Sequence, residues 1–143
     1  MQFSIHQGIN IKFGYAITYV KDVAQTVAFW KAAFGIETRF VVPTGDYAEL
    51  ETGHTAIAFA AHSLGQSNLP QGYSPADASV LPQGQELALV TENVEAAMDQ
   101  AVQAGARLVC PANVKPWGHA VGYVCTPDGN LIELCSPMPG ATS

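Results

Sequence analysis

Tyr15-Ala-Ile-Thr-Tyr-Val20, followed by Asp22, and Glu86-Leu-Ala-Leu-Val-Thr91, followed by Asn93, decide the fold of this chain. Each is a short run suited to a strand, and each leads through a helix-capping residue into an apolar stripe at helical spacing. After Asp22 the stripe is Val23, Val27, Trp30 and Phe34, and Gly35 ends it. After Asn93 it is Val94, Ala97, Met98 and Val102, closed by Gly105. An offset of 71 superposes Tyr15 on Glu86, Asp22 on Asn93 and Val23 on Val94, whereas the closing glycines differ by 70, so the second helix is one residue shorter. A repeated unit of this size carries more fold information than any single motif.

Working outward, three strands are expected after each helix. In the first half they fall near Glu37–Val42, Tyr47–Glu51 and Thr55–Ala60; in the second, near Arg107–Cys110, Ala120–Cys125 and Asn130–Cys135. Pro43-Thr-Gly-Asp46, Thr52-Gly53 and Pro127-Asp-Gly129 supply the turns. The predicted class is α+β: two βαβββ modules forming a curved, cavity-enclosing mixed sheet. Residues 1–143 make one domain, with module one at about 13–60, a linker at about 61–84 and module two at about 85–137. The linker holds Pro70, Pro75 and Pro82 and exceeds an ordinary tight connection, so it is either a functional flap or a crossover between halves.

Composition narrows the function. The net charge is −6, with only 6 scattered Lys and Arg, which argues against a nucleic-acid footprint. An acidic body suits cationic small molecules, and solubility alone also accounts for it. Cys110, Cys125 and Cys135 are odd in number and form no CxxC pair; they read as free thiols in a reducing compartment. With no signal-like start and no membrane-length apolar run, a cytoplasmic location is expected. Hydrophobic content of 48% against 13% charged points to apolar surface buried between subunits.

Val20-Lys-Asp22, Phe29-Trp30, Phe34-Gly35 and Pro127-Asp-Gly-Asn-Leu-Ile-Glu-Leu134 resemble the vicinal oxygen chelate superfamily. That group includes glyoxalase I, extradiol dioxygenases and the fosfomycin and bleomycin resistance proteins; the look is nearest to the bleomycin resistance-like branch. The resemblance runs from about Phe13 to Pro137. It implies a homodimer, with an N-terminal arm exchanged or not; within Met1–Lys12, Phe3-Ser-Ile-His6 is strand-like. It also implies four metal-ligand positions, one on the first and one on the last strand of each half. Here these are Tyr15, Ala58, Glu86 and Glu133. A catalytic divalent site wants at least three good donors and an open position. No metal is therefore favoured; if a divalent ion binds, Glu86 and Glu133 hold it. His54, His62 and His119 lie near strand ends as potential substitutes.

Strand alternation puts Tyr15, Ile17 and Tyr19 on the cavity face if any one of them is there. Ala56, Ala58 and Ala60 join them, as do Glu86, Ala88, Val90, Leu131, Glu133 and Cys135. Three inward alanines leave volume for an organic molecule. Two inward carboxylates need a cation, a donor or a shared proton. Trp117, with Gly118 and His119 after it, is a stacking wall, a core plug or a dimer contact; Tyr47 and Tyr73 are weaker candidates of that kind. The expected ligand-binding set is Tyr15, Tyr19, Ala58, Glu86, Trp117, His119 and Glu133. The favoured function is metal-free sequestration of a cationic or planar organic compound, as in antibiotic-resistance binders. The alternative is a divalent-metal lyase, isomerase or dioxygenase-like enzyme using Glu86 and Glu133. A third reading is a vestigial pocket in a domain that mainly assembles with itself or a partner.

Overall fold

In a computed structural model describing residues 8–138, both strand–cap–helix passages form as the repeat predicts. β1 (Tyr15–Val20) leads into α1 (Val23–Phe34), and β5 (Glu86–Val90) leads into α3 (Val94–Gln103); α2 lies between the halves. Asp22 accepts a hydrogen bond from the Gln25 N–H at 3.1 Å, and Asn93 accepts one from the Ala96 N–H at 3.1 Å. Each cap satisfies a donor that the first helical turn leaves without a partner. Gly35 takes the left-handed conformation, with φ 68°, and returns its N–H to the Lys31 carbonyl. In α3 the cap is Ala104, and Gly105, with φ 121°, turns the chain.

The remaining strands are β2 (Thr38–Val41), β3 (Tyr47–Leu50) and β4 (Ala56–Ala61) in the first half. In the second they are β6 (Arg107–Val114), β7 (Ala120–Cys125) and β8 (Leu131–Cys135). Each half makes a mixed four-stranded sheet, in the orders β1-β4-β3-β2 and β5-β8-β7-β6. The first strand of each half runs parallel to the last, and the other pairs are antiparallel. The modules are thus α+β and βαβββ as read, carried on two sheets that do not close on each other. β6 extends past the expected Cys110 to Val114, because register shifts carry the ladder past Pro111.

α1 and α3 pack on each other and on the apolar faces of both sheets. Val20, Trp30, Phe59, Met98, Ile132 and Leu134 share one core. Under the offset of 71, Trp30 falls opposite Ala101, and both are buried. The Trp30 ring packs on Phe34 and Phe59, with centroids 4.8 and 5.5 Å away, so the larger side chain fills the core above the first sheet. Since this face of each sheet is committed to the core, the other faces are left for a site.

The expected linker contains a helix, α2 (His62–Asn68), that begins directly from β4. Gly65 rests on the Tyr19 ring, where an added Cβ would come within 2.8 Å of it. The Tyr73 ring then packs at a tilt of 35° on Tyr19 with centroids 4.8 Å apart, and the Tyr73 hydroxyl lies 2.6 Å from His62 Nδ1. Further on, the Asp77 backbone presses against Gly129 of the last hairpin. The segment is therefore a crossover anchored on both modules. The strand expected at Phe3–His6 lies outside the described residues.

Candidate functional site

β8 centres the site in the second half. Glu133 pairs in register with Ala88 on β5 and Tyr123 on β7. Alternation puts Glu133, Cys135, Val121 and Tyr123 on the face away from Ile132 and Leu134, which enter the core. The Tyr123 hydroxyl donates to Glu133 Oε1 at 3.1 Å. Glu86, exposed at the start of β5, shares a hydrogen bond with Glu133. His119, buried just before β7, completes the group; donor atoms of His119, Glu133 and Cys135 all lie within 4.8 Å of one another.

The two carboxylates are shifted in opposite directions. Desolvation, the hydrogen bond to Glu133 and its charge raise the Glu86 carboxyl above its ordinary value. Desolvation also pushes on Glu133, but hydrogen bonds from Glu86, Cys135 and Tyr123 and the charge of His119 hold it below the ordinary value. Burial and then the Glu133 carboxylate push Tyr123 to about 12 and Cys135 to about 11. The site thus gathers two carboxylates, a phenol and a thiol. Among the described residues no Lys or Arg forms an ion pair with Glu86 or Glu133.

The first half treats its carboxylate differently. Glu49 on β3, buried beside Ala58, accepts from the Tyr47 hydroxyl at 2.9 Å and pairs with Arg39 at 3.5 Å. Arg39 also grips Glu51 through two hydrogen bonds, at 2.8 and 3.1 Å. Burial, followed by the bond to Glu49, raises Tyr47 to about 12. This carboxylate has a cation beside it from its own chain, shared with Glu51.

The seven residues predicted from sequence fall into separate groups. Glu86, Glu133 and His119 come together. Tyr15, 55% exposed, belongs with Arg39 and Tyr47 of the first half. Ala58 is fully buried, and Ala56 and Ala60 are nearly so. The volume expected above these alanines is absent, because same-face neighbours Ile17, Tyr19, Tyr47 and Glu49 on β1 and β3 flank them. The opening lies instead at the seam between β1 and β5, a cleft of about 190 Å³. Ile17, Tyr19, Tyr73, Gln83, Gln85 and Glu86 line it. Trp117 is 58% exposed in the β6–β7 turn and lines neither this cleft nor the second one beside α1. Sequence reasoning missed Tyr123 as a site residue, although its alternation with Val121 and Cys125 carried the signal.

The four positions implied by the family resemblance do not fit a divalent metal. Ala58 has no donor and no exposure, Tyr15 lies near Arg39 and Tyr47, and only Glu86 and Glu133 offer carboxylates. Two carboxylates fall short of the usual three protein ligands.

A family profile described as the Glyoxalase/Bleomycin resistance protein/Dioxygenase superfamily matches residues 12–134, and the chain belongs to that superfamily. Among solved structures it is similar to a glyoxalase-related enzyme from Fulvimarina pelagi: 21% identity, 90% of this chain and 89% of that one covered, TM-score 0.77. It is also similar to a glyoxalase/bleomycin resistance protein/dioxygenase family enzyme from Burkholderia phytofirmans PsJN, with 19% identity, 88% and 98% covered, and TM-score 0.73. TioX from Micromonospora sp. ML1 matches at 20% identity, 88% and 98% covered, and TM-score 0.65. At these identities the likeness establishes the fold and not the activity. No curated protein matches the chain. No helix among the described residues is long and apolar enough to cross a membrane.

Proposed function

We propose that this protein binds a small organic cation without breaking a bond in it, using the seam cleft and the Glu86–Glu133 pair beside it. The observation that carries this reading is the pair itself. The two carboxylates lie close enough to perturb each other and have no Lys or Arg partner, whereas Glu49 of the other half has Arg39 beside it. A ligand cation set against them would relieve their mutual repulsion. Tyr19 and Tyr73 give the cleft an aromatic wall for a planar or alkylammonium body. The cleft is smaller than the roughly 300–1,000 Å³ of drug-sized pockets, so it fits a compact ligand or one inserted group of a larger one. A metal-dependent reaction through Glu86 and Glu133 alone is the weaker reading, since they offer carboxylate donors only.

A cytoplasmic homodimer is part of the proposal. The free thiols support the compartment. The exposed Phe13, Ile17, Val90, Leu108 and Val114 support a second copy.

Isothermal titration against planar aromatic cations, cationic glycopeptides and their neutral isosteres tests the function. Saturable binding of at least one cation, with its neutral isostere at least about tenfold weaker, is expected for a charge-assisted contact. Absence of binding across the panel, or equal affinity for the neutral compounds, would overturn it.

A further inference from the structure

The structure assigns a thiophilic divalent metal site, of the kind that takes Zn²⁺, to His119, Glu133 and Cys135 on the open face of the second sheet. This goes beyond the organic-cation reading and uses a different donor set from the four family positions: His119 and Cys135 are not among those, and Tyr15, Ala58 and Glu86 are not required. The three donors come from a short stretch of structure. Glu133 and Cys135 lie two apart on β8 and so share a face, and His119 enters from the residue before β7.

Their donor atoms lie within 4.8 Å of one another. Tetrahedral ligands on bonds of about 2.0–2.3 Å stand roughly 3.3–3.8 Å apart, so small side-chain rotations close the set around an ion. One sulfur, one nitrogen and one oxygen suit zinc and discriminate against magnesium and calcium, which take oxygen ligands.

Two further features argue for a built site. His119 and Cys135 are only 8% and 4% exposed, so their positions are fixed by packing rather than chosen from many rotamers. The Tyr123 hydroxyl already orients Glu133 through Oε1, the outer-shell support that ligating carboxylates use. Binding exchanges the Cys135 thiol proton for a sulfur–metal bond, and the proton leaves to solvent. Three protein donors leave a fourth coordination position for water or a further ligand. An ion there also consumes the charge of Glu133, so metal and organic cation compete.

Titration of the purified full chain with Co²⁺, after chelator treatment, tests the assignment. One equivalent is expected to bind with a thiolate-to-cobalt charge-transfer band that Zn²⁺ displaces. The band is expected to vanish in Cys135→Ser and persist in Cys110→Ser. In His119→Gln, which leaves both β8 donors in place, Co²⁺ affinity is expected to fall at least about tenfold. His119→Gln also serves if Cys135→Ser does not fold. No band in the wild type, or a band that survives Cys135→Ser or is equally strong and tight in His119→Gln, would overturn the site. Organic-cation titrations run in chelator separate the two claims: binding there with no cobalt band sinks the metal site alone, and a cobalt band with no organic binding sinks the other alone.

Discussion

The two halves share one chain path and treat charge in opposite ways. In the first, Glu49 sits on β3, buried between Arg39 and Tyr47. In the second, the carboxylate has moved to β8 as Glu133, which takes the place of Ala58 in the repeat: Ala58 lies beside Ile17 and Glu49, and Glu133 beside Ala88 and Tyr123. Its nearest acidic neighbour is another carboxylate. A duplicated scaffold thus holds one face whose carboxylate has an Arg from its own chain and one whose carboxylates have none. The fold needs neither arrangement for its core, which lies on the helix side of both sheets.

The largest effect is expected where the halves differ in bulk. Trp30→Ala empties the space the ring fills against Phe34 and Phe59 and should cost about 3–5 kcal/mol, read from denaturant unfolding. A cost below about 1 kcal/mol would mean that the shared core does not depend on this ring.

Glu49→Gln comes next. It removes the buried anion that accepts from Tyr47, leaves Arg39 with Glu51 alone, and should destabilise by about 1–3 kcal/mol. Glu133→Gln should not lower stability comparably, because it removes repulsion from Glu86 along with its hydrogen bonds. Equal losses in the two variants would erase the distinction between a structural and a functional carboxylate.

The caps test where the halves agree. Asp22→Ala and Asn93→Ala each delete one 3.1 Å capping bond, and each should cost about 1 kcal/mol in thermal or denaturant unfolding. A cap that costs nothing would mark its helix as held by packing alone.

The smallest effect is a pH slope. Glu86 titrates higher in the folded chain than its ordinary 4.5, so across that window the native state binds more protons than the unfolded one. Its contribution to stability is complete below the window and lost as pH rises through the folded pKa. Glu86→Gln should therefore gain melting temperature relative to wild type as pH rises from about 4 through this range. Parallel melting curves would show that folding does not raise the Glu86 carboxyl.

Much of this comparison was legible in the sequence. The capped strand–helix repeat fixed both modules, because Asp22, Asn93 and the apolar stripes act locally. Reading Tyr15, Ala58, Glu86 and Glu133 against the family positions located the carboxylates and showed two donors missing. What stayed hidden depends on register and long-range contact. Periodicity cannot say that Arg39 reaches Glu49, that Tyr123 stands opposite Glu133, or that His119 meets Cys135. α2 escaped notice because His62–Asn68 has no side-chain cap and only one buried residue; it is held by Gly65 against Tyr19. The alanines on β4 pointed to open volume only because their larger neighbours belong to strands whose pairing the sequence does not state.

The central claim is that the second half's carboxylates, and not the first half's, receive the ligand. The most direct measurement is parallel calorimetric titration of wild type, Glu133→Gln and Glu49→Gln with the tightest cation from the panel, in chelator, with folding of each variant verified. The account predicts at least about a tenfold loss in Glu133→Gln and unchanged affinity in Glu49→Gln. Unchanged affinity in Glu133→Gln, or an equal loss in both, would contradict it.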